Sequence, residues 1–176
     1  GDLYLLAVVN SPLMWAYMWR NAIHGKDEVL RLIYSFTESL PIAQPTQALR
    51  AEIEPMVERL IALTKQGQST THELLAWLAA EFGVTTPGQA LEAFADLDEA
   101  SFIQQVRARR PKSEARLSPV AVGELARVHR QYASPVRAGV AETARLERRL
   151  ADLVNAAYGL TPEEVELLWR TAPPRM

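Results

Sequence analysis

The sequence predicts a mainly α-helical protein: an antiparallel pair of long, coiled-coil-like helices, short connector helices between them, and a small N-terminal α/β segment. Apolar residues recur every three or four positions along two long stretches, residues 46–82 and 118–160. The chain between these stretches carries helix starts rather than strand patterns. Because a compact helical connector returns the chain to where it came from, the long helices are expected to run antiparallel.

The N-terminal segment opens with an apolar run, residues 3–19, that is interrupted by Asn10, Ser11 and Pro12. Ser11 is typical of an N-cap and Pro12 of a first helical position, so this run is expected to form two buried helices. The interruption and the short length argue against a membrane span, and no membrane partner is expected.

The remainder of this segment contains the best candidate strand, residues 29–34, followed by a turn at 35–40. Pro41 and Pro45 then disfavour helix at the residues before them. We therefore predict a domain boundary here, with residues 1–45 forming one part and residues 46–176 the other.

The first long helix is predicted from residue 46 to Phe82, with Pro55 and Gly67 as possible bends and Gly83 as its C-cap glycine. The connector, residues 86–110, is predicted to hold two short helices. One covers residues 89–95 after a capping-box pattern at Thr86, and the other covers residues 98–109.

The second long helix is predicted to start at Ser118-Pro119 and to carry a sustained heptad, with a kink at Pro135. A capping box from Thr161 to Glu164 then predicts a terminal helix at 161–170. The heptad positions are Leu125, His129, Tyr132, Val136, Gly139, Thr143, Leu146, Leu150, Leu153, Ala157 and Leu160.

No catalytic or cofactor motif is present in the sequence. The chain has no Cys, which removes thiol nucleophiles and disulfides, and a cytoplasmic protein is the expected class. The histidines, His24, His72 and His129, have no metal-ligand spacing. Glycine-rich phosphate-binding loops and a serine nucleophile elbow are also missing. We therefore expect no enzyme activity, no metal and no cofactor in this chain.

Charge is distributed unevenly along the chain. Residues 107–149 contain eleven Lys and Arg against four acids, a net charge of +7, whereas the remaining eight basic and 17 acidic residues give −9. A local basic segment in a chain of net charge −2 indicates an anionic partner. The alternative is that the arginine stems cover apolar surface and their charged ends are simply solvated.

Two stretches of sequence resemble a known family. The first is LLAVVNSPLMWAYMW, residues 5–19, which leads through His24-Gly-Lys-Asp to Leu40-Pro-Ile. The second is LERRLADLVNAAYGLTPEEV, residues 146–165. Together they resemble the C-terminal region of type IIG restriction-modification adenine-specific DNA methyltransferases. The order of elements is also similar to the end of a target-recognition domain in type I restriction specificity subunits.

The resemblance implies that residues 1–45 are the tail of a target-recognition domain and residues 46–176 a helical spacer. The glycine-rich cofactor motif and the N-P-P-[YF] motif of that family are absent, and Asn10-Ser11-Pro12-Leu13 is not a shifted copy of the latter. S-adenosylmethionine chemistry would therefore belong to an upstream methyltransferase domain of the parent polypeptide, which could also carry a nuclease.

Candidate DNA-binding residues follow from the resemblance and from the charge pattern. The resemblance places Lys26 and Arg31 near the recognition loop. The basic segment supplies candidates for contact with phosphates of double-stranded DNA. These are Arg107, Arg109, Arg110, Lys112 and Arg116.

The leading hypothesis is a DNA-recognition and spacer segment that contacts the DNA backbone and orients the upstream catalytic domain. The alternative is a helical adaptor that contacts only protein, through its apolar N-terminal helices and the heptad face. An interfacial membrane segment at residues 1–23 is a third and weaker possibility.

Overall fold

The computed structural model describes residues 1–25, 30–111 and 116–171, and these are mainly α-helical, as the sequence predicts. None of the helices among the described residues combines the length and the apolar character needed to cross a membrane. The elements are α1 (Leu3–Val9), α2 (Pro12–Asn21), β1 (Ile23–His24), β2 (Leu30–Arg31), α3 (Tyr34–Glu38), α4 (Gln47–Phe82), α5 (Gly88–Glu92), a 3₁₀ turn (Phe94–Asp96), α6 (Glu99–Arg109), α7 (Pro119–Ala157) and α8 (Pro162–Thr171).

Two helix starts predicted from the sequence are confirmed in atomic detail. The Ser11 hydroxyl accepts a hydrogen bond from the Met14 N–H at 3.1 Å, and Pro12 opens α2. At α8 the Glu164 carboxylate accepts from the Thr161 N–H at 2.8 Å, and the Thr161 hydroxyl accepts from the Glu164 N–H at 3.3 Å. These bonds satisfy backbone donors that have no partner within the first turn of a helix.

The N-terminal segment differs from the sequence prediction after α2. Within the described part of the strand predicted at residues 29–34, only Leu30–Arg31 forms a strand, and residue 29 lies outside the described residues. Leu30–Arg31 pairs antiparallel with Ile23–His24, a strand that the sequence does not predict. The predicted turn at 35–40 is largely the helix α3. Thr37 and Ser39 stabilise it locally, because their hydroxyls donate to the carbonyls of Tyr34 and Phe36.

The connector also differs in detail. The capping box expected at Thr86 does not form, since α5 begins at Gly88 with Pro87 as its N-cap residue and without a side-chain cap. The single helix predicted at residues 89–95 divides into α5 and the 3₁₀ turn. Gly88 has φ +69°, a left-handed conformation that interrupts a regular helix start and is accessible to glycine without strain.

The two long helices have the predicted lengths. Pro55 lies inside α4 and Pro135 inside α7, and the stretch at 66–69 does not break α4. Each predicted heptad position in α7, from Leu125 to Ala157, is buried or half-buried, and so is Leu160, which lies after the end of the helix. By contrast Val140, one residue beyond a heptad position, is 65% exposed. The heptad therefore identifies the buried face of α7.

The chain divides into two compact units. The first contains residues 1–60 and 145–176, and the second contains residues 61–144. The predicted boundary at residue 45 falls inside the first unit, and the assignment of residues 1–45 and 46–176 to separate functions stays a prediction. In the first unit α2 packs against α1 and α8. The buried side chains of the first unit include Tyr4, Val8, Met14, Ile53, Leu150 and Val154.

In the first unit, a hydrogen-bonded tyrosine joins the two stretches that carry the family resemblance. The Tyr158 hydroxyl donates to the Pro41 carbonyl at 2.6 Å and accepts from the Ala43 N–H at 3.2 Å. The Tyr4 hydroxyl donates to the Ala43 carbonyl at 2.8 Å. Residues 41–43 are therefore held from both sides, by α1 and by the residue that follows α7.

Replacement of Tyr158 by Phe is expected to lower the free energy of unfolding by about 1–2 kcal/mol, because the bonds to Pro41 and Ala43 are lost. Burial raises the pKa of the Tyr158 hydroxyl above 10.0, so the folded state holds this proton more tightly than the unfolded state. The contribution of the Tyr158 hydroxyl to the free energy of unfolding is complete below pH 10, and it is lost as the pH rises through the pKa of the folded state. Urea unfolding along an alkaline pH series should therefore show that the free energy of unfolding falls less in Tyr158→Phe than in the native protein.

A matched control for this prediction is Tyr34→Phe. Tyr34 is 77% exposed, and its replacement should leave the urea midpoint at neutral pH unchanged. An equal destabilisation by the two variants would contradict the role given to Tyr158.

The second unit has a continuous apolar core. It combines residues of α4, the connector and the first half of α7, and its largest fully buried side chains include two aromatic rings. The members at or below 1% exposure are Leu74, Leu78, Val84, Leu91, Phe94, Phe102, Val106, Leu125 and Ala133. This core fixes the position of α6, the helix that carries the candidate DNA contacts Arg107 and Arg109.

Candidate nucleic-acid interface

Helix α6 presents its basic end as a direct result of its amphipathic sequence. Asp98 caps the helix, since its carboxylate accepts from the Ser101 N–H at 2.7 Å. Phe102, Ile103 and Val106 are buried in the core of the second unit. Because these three positions share one face, Arg107, on another face of the helix, is exposed to solvent.

The last turn of α6 contains Arg107 and Arg109, and Arg110 is the C-cap residue. Pro111 explains why the helix stops here, since the residue before a proline is driven to an extended conformation, and Arg110 has ψ 151°. Cations at this end of a helix are also stabilised by the partial negative charge of the last carbonyls. The three arginines therefore lie within one turn.

Arg109 is partly engaged by the protein. Its guanidinium donates to the Thr86 carbonyl at 3.4 Å and lies over Gly88, where a Cβ atom would collide with it. The glycine thus leaves room for the arginine. Arg109 is still exposed, so it both holds the start of α5 and presents charge to solvent.

The structure brings together only part of the predicted set. Arg116 is exposed and lies in the same unit, shortly before Ser118, whose hydroxyl caps α7. Arg31 is exposed on β2, in the other unit. Lys26 and Lys112 lie outside the described residues.

Several arginines of the basic segment are occupied by partners within the protein. Arg127 pairs with Glu124, Arg130 with Glu99, and Arg149 with Glu52. The hydrogen bond that the Arg127 guanidinium donates lowers the pKa of Glu124, and the positive charge of Arg127 also stabilises the Glu124 carboxylate. Glu52 and Glu99 come from outside residues 107–149, so the net charge of +7 overstates the free positive charge of this segment.

Two side chains of α7 hold the segment between α5 and α6. The Arg137 guanidinium donates to the Ala95 carbonyl at 2.6 Å and to the Leu97 carbonyl at 2.7 Å. His129 is 3% exposed, and its Nε2 lies 3.2 Å from the Phe94 carbonyl. The heptad predicts that His129 lies on the buried face of α7, but the sequence carries no signal for its contact with Phe94, which depends on the fold of the connector.

A metal centre receives no support from the described part of the chain, where no group of three or more His, Asp or Glu side chains is arranged to hold an ion. Of the predicted DNA-contact residues in the second unit, Arg107, Arg109 and Arg116 are exposed, at the end of α6 and before α7.

Residues 46–154 match the family described as Domain of unknown function (DUF8810). No curated protein and no solved structure matches the chain. The matched region contains α4, α5 and α6 and nearly all of α7, and thus all of the second unit.

Proposed function

Since the chain belongs to the DUF8810 family, whose description assigns no function, we propose from its own residues that it is the DNA-recognition and spacer segment of a site-specific adenine DNA methyltransferase of a restriction-modification system. The observation that carries this proposal is the exposed arginine set at the end of α6, on a helix fixed by a buried core. The resemblance of residues 5–19 and 146–165 to type IIG enzymes supplies the class of reaction.

The arginine set is suited to phosphate rather than to base recognition. Guanidinium groups bind phosphate oxygens in a bidentate manner and stay charged at all physiological pH values. Contacts of this kind position a protein on the duplex but carry no sequence information. Sequence would be read by the recognition region, to which Lys26 and Arg31 are assigned.

A stiff spacer requires α4 and α7 to lie side by side and antiparallel. Within the second unit, a Cβ atom on Gly139 would lie 3.8 Å from Leu63 Cδ2. Later residues of α4, such as Leu78, share a core with earlier residues of α7, such as Leu125. Rising numbers on α4 thus accompany falling numbers on α7, which supports the antiparallel pair.

A disulfide between positions 63 and 139 tests this pairing. The chain has no Cys, so the variant Leu63→Cys/Gly139→Cys can form only one intramolecular disulfide. We expect it to form in air-oxidised folded protein and to raise the free energy of unfolding by up to about 4 kcal/mol, because it closes a long loop. Mass spectrometry and urea unfolding measure the two effects.

The control pair is Leu63→Cys/Val140→Cys. Val140 is 65% exposed and adjacent to Gly139, so its thiol should face solvent and stay reduced within the monomer. Efficient intramolecular oxidation of the control pair, or none at 63 and 139, would contradict the pairing.

The proposed division of labour assigns methyl transfer to another domain of the parent polypeptide, which would bind S-adenosylmethionine and possess any nuclease activity. A methyltransferase flips its target base out of the duplex, which costs a few kcal/mol and requires the protein to bind the flanking DNA. A recognition region held at a fixed distance by a helical spacer would bind that flanking DNA. The present chain would then bind and orient without catalysing a reaction.

Binding to duplex DNA tests the proposal directly. Fluorescence anisotropy of a labelled duplex should show binding that weakens steeply between about 50 and about 200 mM salt, because each phosphate contact releases counterions. A globular protein of similar size that does not bind DNA serves as the control for nonspecific changes in anisotropy. Absence of salt-sensitive binding would overturn the proposal.

A protein adaptor without DNA contact is the second candidate, and exposed apolar side chains of the first unit favour it. Leu5, Leu6, Ile23, Tyr34 and Trp169 are between 42% and 77% exposed. Such side chains commonly mark protein contact surfaces when they form a continuous patch. The adaptor predicts no binding in the anisotropy experiment at any salt concentration.

A further inference from the structure

The guanidinium of Arg109 packs against the backbone of Gly88. A Cβ atom at position 88 would lie 2.7 Å from both Cζ and Nη2 of Arg109, and closer still to Nη1, which is well inside van der Waals contact. Nη1 also donates a hydrogen bond to the Thr86 carbonyl at 3.4 Å. Position 88 can therefore accept only glycine while the guanidinium stays where it is.

The segment that receives Arg109 is itself held in place by the core of the second unit. Val84 is 1% exposed, and its N–H donates to the Leu78 carbonyl at 3.2 Å. The ring of Pro87 restricts the backbone next to Gly88, and Leu91 anchors α5 in the core. A surface fixed in this way also fixes the position of a side chain that packs on it.

The helix that carries Arg109 is anchored in the same core. Val106, less than one turn before Arg109, is fully buried. The start of the arginine side chain and the surface under its charged end therefore belong to one packed unit, although the side chain is still exposed to solvent. The Thr86 carbonyl accepts only one of the five guanidinium N–H groups, so this contact is compatible with a bidentate bond to a phosphate.

Arg107 is the natural comparison, because it lies on the same helix and is also exposed. Within the part of the chain that the structure describes, its guanidinium has no hydrogen-bond acceptor. Such a side chain loses rotamer freedom when it binds a ligand. That loss weakens affinity by a factor of about two to ten for a long side chain.

We propose that Gly88 is a positioning residue that acts through Arg109, and that it makes Arg109 the pre-oriented phosphate ligand of the DNA interface. This inference rests on the proposed DNA-binding function and deepens it. The side chain of Arg109 is ordered when the chain folds, so DNA binding does not carry that cost. Arg109 therefore contributes more to DNA affinity than Arg107, although the two have the same charge.

The mobility of the arginine side chains tests the pre-orientation without DNA. In the full chain, the ¹⁵N heteronuclear NOE of the Nε–H group should be higher for Arg109 than for Arg107. In Gly88→Ala the value for Arg109 should fall to that of Arg107, because the new Cβ atom displaces the end of a flexible side chain. Equal mobility of the two arginines in the native protein would overturn the inference.

The anisotropy of a labelled duplex measures the consequence for affinity. Arg109→Ala should weaken DNA binding about tenfold and Arg107→Ala about threefold, because only Arg109 is ordered beforehand. Each variant removes one charge, so both should lower the salt dependence by about one phosphate contact. Equal losses of affinity would overturn this inference and leave the DNA proposal standing. No binding by the native chain at any salt concentration would overturn both.

A double-variant cycle separates positioning from damage to α5. Gly88→Ala should weaken DNA binding about threefold in the native chain and have no effect on DNA binding in Arg109→Ala, where no guanidinium remains to be displaced. Gly159→Ala is the control for backbone strain, since Gly159 has φ +67° and no described atom within 4 Å of its Cβ position. An equal loss from Gly88→Ala in both backgrounds, or from Gly159→Ala, would overturn the inference.

Discussion

Neutralisation of Arg107 and Arg116 together, as Arg107→Gln/Arg116→Gln, is expected to weaken binding to duplex DNA about tenfold and to lower the salt dependence by about two phosphate contacts. Both side chains are exposed in the second unit, at the end of α6 and before α7. Each phosphate contact contributes close to one unit to the slope of log affinity against log salt. Anisotropy titrations at several salt concentrations measure both quantities.

The matched control is Arg127→Gln/Arg149→Gln, which changes the net charge by the same amount. Arg127 is paired with Glu124 and Arg149 with Glu52, so neither guanidinium is fully available to a phosphate. This variant should retain most of the affinity and of the salt slope. If both double variants lose affinity equally, binding follows net charge alone and the assignment to the end of α6 fails.

Replacement of Phe102 by Ala is expected to lower the free energy of unfolding by about 3–5 kcal/mol, the range for a fully buried phenylalanine. Phe102 is 0% exposed, belongs to the core of the second unit and stacks on the His129 ring. Its loss leaves a cavity beneath α6 and removes the support of the arginine set. Urea unfolding followed by circular dichroism measures the change.

Two comparisons separate this effect from a general weakness of α6. Phe102→Leu keeps most of the buried volume and should cost roughly half as much or less. Gln104→Ala changes an exposed position of the same helix and should stay within about 0.5 kcal/mol of the native protein. A cost for Phe102→Ala no greater than that for Gln104→Ala would refute the packing described for α6.

Helix starts and long amphipathic helices could be predicted because their causes lie close together in the sequence. Ser11 with Pro12, and Thr161 with Glu164, interact across one turn, so the bonds they form depend little on the rest of the fold. The buried face of α7 follows from a heptad that repeats over many turns. A periodic signal of that length outweighs a single unfavourable residue such as Pro135.

The region after α2 was predicted wrongly because its structure depends on contacts that leave little trace in the sequence. β1 and β2 have two residues each, too short for an alternating pattern. The apolar residues at 29–34 predict one strand, although Ile33 is the exposed N-cap residue of α3 and Tyr34 its exposed first residue. Exposure of apolar residues removes the usual basis for reading strands from hydrophobicity.

The location of the basic segment could be predicted from the sequence, but which of its arginines are paired with carboxylates could not. A count along residues 107–149 finds the basic segment, but it omits Glu52 and Glu99, which reach Arg149 and Arg130 from distant parts of the sequence. The contact between His129 Nε2 and the Phe94 carbonyl was likewise hidden, because it depends on the fold of the connector. Charge pairing and burial of polar atoms are tertiary properties.

The most direct test of the central claim is an NMR experiment on the arginine Nε–H groups as duplex DNA is added to the intact chain. We expect the signals of Arg107, Arg109 and Arg116 to shift first and added salt to reverse the shifts. Shifts confined to Arg127 and Arg149, or no arginine shift at all, would contradict DNA contact at the end of α6.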